Sequence, residues 1–365
     1  MTDLDDRLRA ASRACTRHVD GHPRQSPAAT FAALAAAAEE LGVEEWDGYG
    51  ERGPVAVLER EVADLLGKPA AVFFPSGVTA QQVMLRIWCD RRASRRVAIP
   101  DLSHLLAHEE DGPRLLHGFR FEPLTRGPRT ATAADLDAVT GRLGAAFVEL
   151  PLRDAGCLLP SWEELVELSQ AARSRGVPFH VDGARLWESQ PFYDRPLAEI
   201  AALADSVYVS LYKGLGGLAG ALLAGGEDEL AEARTWRRRM GGTLYRMSPY
   251  ALAGLVGLRA HQPRMGEYVA WARRLAGELA ARGLRVHPEP PHTNTFRLYL
   301  PGEVDEIRER VADLMERELV DLPWGWRPAD VPGLAMTEVT VLSGAVDLDP
   351  AEVAGWFAGL VAHPA

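Results

Sequence analysis

Two apolar runs in the middle of the chain each give way to a charged residue, and this limits the folds open to it. Val177-Pro178-Phe179-His180-Val181 stops at Asp182, and Ser206-Val207-Tyr208-Val209-Ser210-Leu211 is closely followed by Lys213. Short runs of this kind read as buried strands. Similar runs at 70–74, 96–100, 120–123, 145–150 and 218–224 alternate with helical patterns at 55–66, 78–89, 104–110, 133–142 and 162–175. Such alternation predicts an α/β fold with a largely parallel sheet covered on both faces. Chemistry in an open sheet of this type collects beyond the carboxyl ends of its strands. Asp182 and Lys213 stand at two such ends.

The chain of 365 residues is long enough for a large and a smaller domain. Long helical patterns at 227–240, 249–261 and 265–282 precede a strand-helix-strand-helix tail at 295–300, 303–319, 336–342 and 350–361. We therefore expect an N-terminal helical segment over 1–50 packing on a large domain over 51–262, and a small C-terminal α/β domain over 263–365. A net charge of −11 argues against nucleic acid or an anionic membrane as the main partner. Cys15, Cys89 and Cys157 lack metal-like or redox-like spacing, which suits a reducing cytoplasm. The charged first residues carry no secretory pattern, and no run approaches the ~20 apolar residues of a membrane span.

Lys213 sits among Gly214, Gly216, Gly217 and Gly220, which let backbone approach a bulky ring closely. Desolvation and neighbouring charge would turn its amine into a nucleophile. A dinucleotide-binding loop is the competing reading, but Ala219 stands where its third glycine belongs and a strand pattern follows. Pyridoxal phosphate requires a lysine for its aldehyde and an acid for its ring nitrogen, roles that Lys213 and Asp182 can fill. Ser76-Gly77-Val78-Thr79 lies between a strand and a helix, where free N–H groups and the helix dipole hold a phosphate. His104 and His108 are spaced like two metal ligands on one helix face, but no third ligand pattern accompanies them, so no metal is expected.

Asp182-Gly183-Ala184-Arg185 with Lys213-Gly214-Leu215-Gly216, and the upstream stretch from Asp47 to Gln82, resemble the threonine aldolase/β-eliminating lyase family. The resemblance implies an aspartate aminotransferase-like, fold-type I pyridoxal-phosphate enzyme: α/β, with a mostly parallel seven-stranded sheet and a smaller C-terminal α/β domain. By the same resemblance Lys213 and Asp182 hold the cofactor, His104 stacks on its face, and Ser76, Gly77, Val78 and Thr79 hold its phosphate. Arg185 then lies at the cofactor and faces the substrate carboxylate. Tyr49, with Glu51 in the same turn, and His108 line the substrate side. Arg246 resembles the family's phosphate-reaching arginine, displaced by one position. The implied assembly is a homodimer or homotetramer, and the implied partner a small amino acid.

The substrate side departs from the pattern. Glu149-Leu150-Pro151-Leu152 replaces a Glu-Asn-Thr-His segment, and Thr337-Glu338 stands where an arginine should precede Val339-Thr340. The amino-terminal Ser-Asp of the family has no clear counterpart near Gly21-His22, which leaves His22, Arg24 or Arg297 as substitutes. The expected reaction is cleavage of a β-hydroxy-α-amino acid to glycine and an aldehyde, with His104 or a water it positions as base. The alternatives are β-elimination or transaldol chemistry on a modified amino acid, or a non-catalytic member of the family.

Overall fold

The computed structural model describes residues 3–361, so the outermost residues of the expected 1–50 and 263–365 segments lie outside it. The chain forms two compact units, one of Ser26–Pro263 and one of Met1–Gln25 with Arg264–Ala365.

The larger unit is built on seven strands: β1 (Ala70–Phe74), β2 (Arg96–Ile99), β3 (Arg120–Pro123), β4 (Ala145–Glu149), β5 (Phe179–Gly183), β6 (Ser206–Ser210) and β7 (Ala221–Gly225). Their order across the sheet is β1-β7-β6-β5-β4-β2-β3. β3, β2, β4, β5 and β6 run parallel, while β7 lies antiparallel to both β6 and β1. The inner strands β4 to β7 are buried along their whole length, which is why they read as continuous apolar runs rather than alternating ones.

Helix α1 (Gly77–Arg91) follows β1 directly. Ser76 caps it by accepting the Thr79 N–H at 3.4 Å. Its Val83, Met84 and Ile87 pack with Phe74, Tyr208 and Leu223, while Leu85 and Cys89 join Val97, Ile99 and Phe147. Each such fully buried side chain contributes roughly 1.5–3 kcal/mol. The helix end is thereby fixed beside the strand ends of β5 and β6. Helix α2 (Leu186–Tyr193) leaves the end of β5 through Arg185, its N-cap residue.

The smaller unit carries a four-stranded antiparallel sheet in the order Arg327–Pro328, Leu334–Thr340, Thr295–Pro301, Arg285–His287. Residues 3–25 fall in this unit, whereas the expectation grouped 1–50 as one segment on the large domain. Helix Asp3–Ala14 buries Leu8 and Ala11, and Arg7 pairs with Asp313 and Glu316 of helix Val304–Glu318. Arg17 and His18 then add a short parallel strand beside Val320 and Asp321. Ser26 and Pro27 open a separate helix, Pro27–Glu40, which belongs to the large unit. That helix buries none of its residues.

Candidate active site

Glu149, Asp182 and Tyr208 are register partners across β4, β5 and β6. In-register residues of parallel strands project from the same face, with strands about 4.8 Å apart. All three are buried. Asp182 accepts the Ala184 N–H at 2.9 Å and a side-chain hydrogen bond from Gln81. Burial pushes its carboxyl above the usual range, against the pull of the Lys213 charge. Burial and the neighbouring Asp182 charge raise Glu149 to about 8, against hydrogen bonds from the His104 and Arg153 N–H groups. Two carboxyls this close oppose each other's ionisation.

Lys213 lies in the segment that reverses the chain between β6 and antiparallel β7. The reversal is tied by Leu211 N–H to the Gly220 carbonyl at 3.2 Å, Gly217 N–H to Leu211 at 2.9 Å and Gly216 N–H to Lys213 at 3.0 Å. Gly214 donates to Glu188 Oε1 at 3.0 Å, and a Cβ there would lie 2.2 Å from that oxygen. Glycine is therefore required beside the lysine by the close approach of α2. Burial lowers the Lys213 amine, Arg185 lowers it further, and Asp182, Glu149 and Glu188 pull it back up. One half-buried amine is thus ringed by three buried carboxyls and one guanidinium. Such a cluster of displaced titrations in a shared site is the pattern expected of a candidate reaction centre.

Glu149 also organises the histidine segment. Its two oxygens accept the His104 N–H at 3.0 Å and the Arg153 N–H at 3.2 Å. His104 Nε2 lies 2.8 Å from Glu109 Oε1, and His108 Nε2 lies 2.6 Å from Asp154 Oδ2. The two imidazoles pack with centroids 4.9 Å apart. Burial, then the charge on Lys213, depresses His104 to about 4, so it is neutral at physiological pH.

At the head of α1, Ser76 is exposed, Val78 and Thr79 are partly exposed, and Gly77 is buried. A Cβ on Gly77 would lie 2.1 Å from the Tyr208 hydroxyl. The opening N–H groups of the helix lack intrahelical partners, as an anion site needs. Lys213, Asp182, Arg185, His104 and His108 thus form one connected set, with the α1 end beside them through Gln81 and Tyr208. Tyr49 and Arg246 are grouped elsewhere. Tyr49 is 55% exposed and meets Tyr245 edge-on, and the Arg246 guanidinium lies over the Tyr245 ring at 4.3 Å from its centroid. Asp47, which accepts the Gly50, Met247 and Ser248 N–H groups, ties their two loops together.

Sequence reasoning assigned no role to Glu149, Tyr208, Glu188 or Gln81. Glu149 carried a readable signal, since its apolar run ends in an acid as that of β5 does. Glu188 and Gln81 sit on helices, and their approach to the site depends on packing. The set fits pyridoxal phosphate. Gln81 Oε1 and Glu188 Oε2 are buried beside Asp182 and Lys213 without a partner in the protein. Such atoms cost about 1–3 kcal/mol each unless something polar meets them.

A family description for beta-eliminating lyases matches residues 26–301. The low specificity L-threonine aldolase of Escherichia coli K12 is 31% identical over 252 residues, covering 66% of this chain and 73% of that protein. A candidate aromatic amino acid beta-eliminating lyase/threonine aldolase from Exiguobacterium superposes with a TM-score of 0.89 at 36% identity, covering 97% of this chain and 99% of that one. A candidate L-allo-threonine aldolase from Listeria monocytogenes gives a TM-score of 0.90 at 34% identity, covering 98% and 99%. Strand order, the Lys213–Asp182 cluster and these likenesses agree: the chain belongs to the threonine aldolase/β-eliminating lyase family of fold-type I pyridoxal-phosphate enzymes.

Proposed function

We propose that this protein cleaves the Cα–Cβ bond of a β-hydroxy-α-amino acid, releasing glycine and an aldehyde. The observation that carries the reading is the placement of Lys213, Asp182 and Glu149 at or just past the carboxyl ends of adjacent parallel strands in one charge-coupled cluster. The likeness to threonine aldolases supports the choice of reaction.

Lys213 would bind the aldehyde of pyridoxal phosphate, Asp182 its ring nitrogen, His104 its face, and the 76–79 turn its phosphate. When bound, the cofactor supplies an electron sink for the bond at Cα. The protein's own groups do the rest. The lowered pKa of Lys213 gives it a neutral fraction able to act as nucleophile and proton carrier. Asp182 would hold a proton on the ring nitrogen of the bound cofactor. Arg185, half-buried beside Lys213 and Glu188, offers a fork to a substrate carboxylate. Because Val78 has no hydroxyl, Thr79 or Ser76 would supply the one that meets the phosphate.

We place the working enzyme in the cytoplasm as at least a homodimer. The exposed Tyr49, Tyr245 and Arg246 group is suited to completing the site of a second copy. β-Elimination remains the second reading, favoured by Leu152, which is 2% exposed where the resemblance has a polar residue. Incubation with β-hydroxy and β-substituted amino acids distinguishes the two. Glycine plus aldehyde is expected, whereas ammonia plus a keto acid as the main products would replace the aldol reading. Lys213→Ala should abolish both turnover and the visible absorption of the bound cofactor.

A further inference from the structure

We propose that His108, oriented by Asp154, is the acid–base group that takes the proton of the substrate's side-chain hydroxyl and returns it to solvent. This deepens the aldol reading above and rests on it. His104 is the obvious base by position, yet the structure fits it poorly for the task. Its Nε2 is committed to Glu109 at 2.8 Å, and burial with the nearby Lys213 charge holds its conjugate acid at about 4. A base is most effective when its pKa lies near the working pH.

The adjacent imidazole differs in its exposure and in the loop that supplies its carboxylate partner. His108 packs on His104 at 4.9 Å between centroids, so it belongs to the same site. Its side chain is 41% exposed, which gives it exchange with solvent. Asp154 takes Nε2 at 2.6 Å, which fixes the tautomer and leaves Nδ1 as the working nitrogen. The pairing is held in place from below. Glu149 fastens His104 through one oxygen and Arg153 through the other, and these flank His108 and Asp154 in sequence. His108 and Asp154 come from separate loops, after β2 and after β4, and one buried carboxyl fixes both loops. The charged and titratable groups facing His108 are His104 and Glu109 from its own segment, and Asp154 with Arg153 from the other.

The step balances without a co-reactant. The substrate O–H bond breaks as an N–H bond forms on His108, and the O–H pair becomes the second bond of the departing carbonyl. The Cα–Cβ pair stays with the Cα fragment, which is protonated to glycine, and the imidazolium releases its proton to water. Asp154 is a positioning residue in this scheme.

The test separates hydroxyl chemistry from the rest of the site. Glycine α-hydrogen exchange in D2O, followed by NMR, needs Lys213 and Asp182 but no hydroxyl. In H108N, cleavage of a β-hydroxy amino acid should fall about 100-fold further than glycine exchange does. Added imidazole should restore part of it. Cofactor affinity, read from tryptophan quenching on titrating the apoprotein, should stay within about threefold. D154N keeps the imidazole, and should lower kcat and displace the acid limb of the kcat–pH profile with little change in KM. Equal loss of cleavage and exchange in H108N, or a D154N profile that overlays wild type, overturns the proposal. If wild type forms no glycine from any β-hydroxy amino acid, the aldol reading itself fails.

Discussion

Glu149 shows how much one side chain can set. It shares a face with Asp182, anchors two loops by separate oxygens, and keeps a proton to about pH 8 because burial and Asp182 oppose its charge. The linkage has a definite sign. An unfolded glutamate ionises near 4.3, so between roughly pH 4.5 and 8 the folded chain holds a proton that the unfolded chain has lost. Stability from this group is therefore fully present below that window and declines as pH rises through it. Glu149→Gln removes the decline but leaves one loop N–H without its acceptor, a cost of about 1–3 kcal/mol. Thermal melts of cofactor-free protein should show the variant less stable than wild type at pH 5, with the gap narrowing or reversing by pH 8. Parallel Tm–pH curves would refute this account. Lys213 and Asp182 were legible in sequence because they follow apolar runs. Glu149 sits in such a run too, but Leu150 and Pro151 extend the apolar pattern past it and hide the strand end.

At the scale of elements, the buried strands were legible because they are short and mostly apolar, and β3, RFEP and largely unburied, was legible from its place in the strand–helix alternation. β1 and β3 have the bounds that the sequence suggests. Turn geometry was harder to read. The helix expected over 104–110 stops at Ala107, and a further helix, Gly112–His117, follows after Glu110 and Asp111 adopt positive φ. β7 starts at Ala221, later than its apolar run suggests, because Gly216 and Gly220, at φ 67° and 100°, carry the reversal. The start of α1 makes a test of element packing. Gly77→Ala would place a methyl 2.1 Å from the Tyr208 hydroxyl and should cost about 1–3 kcal/mol. Tyr208→Phe removes the nearest clashing atom, so the two changes should be non-additive by at least about 0.5 kcal/mol in denaturant melts. Simple additivity would mean that the glycine answers to something other than the tyrosine.

At the scale of the whole molecule, two compact units were expected, but the partition of the first 50 residues was not legible. Both halves of that stretch are helical, and only the first buries side chains, so helical pattern alone does not tell which unit each joins. Helix Pro27–Glu40 leaves Phe31 63% exposed beside Trp46 at 60%, over an apolar groove of about 490 Å³ that Pro249 and Leu252 also line. If that groove seats a second copy, Phe31→Asp should lower the molar mass measured by light scattering from a multiple of 39.8 kDa toward that value. An unchanged mass would place the dimer contact elsewhere. The position of β7 reaches further, into how the chain assembles. β1 borders β7 alone, so a strand made early in synthesis waits for residues 221–225 before it gains any ladder partner. Contacts of such sequence separation raise the contact order and slow folding. A ribosome-bound chain halted before Ala221 should leave β1 with an open edge prone to aggregation. The lysine loop that reverses just ahead of β7 thus also times the closing of the sheet.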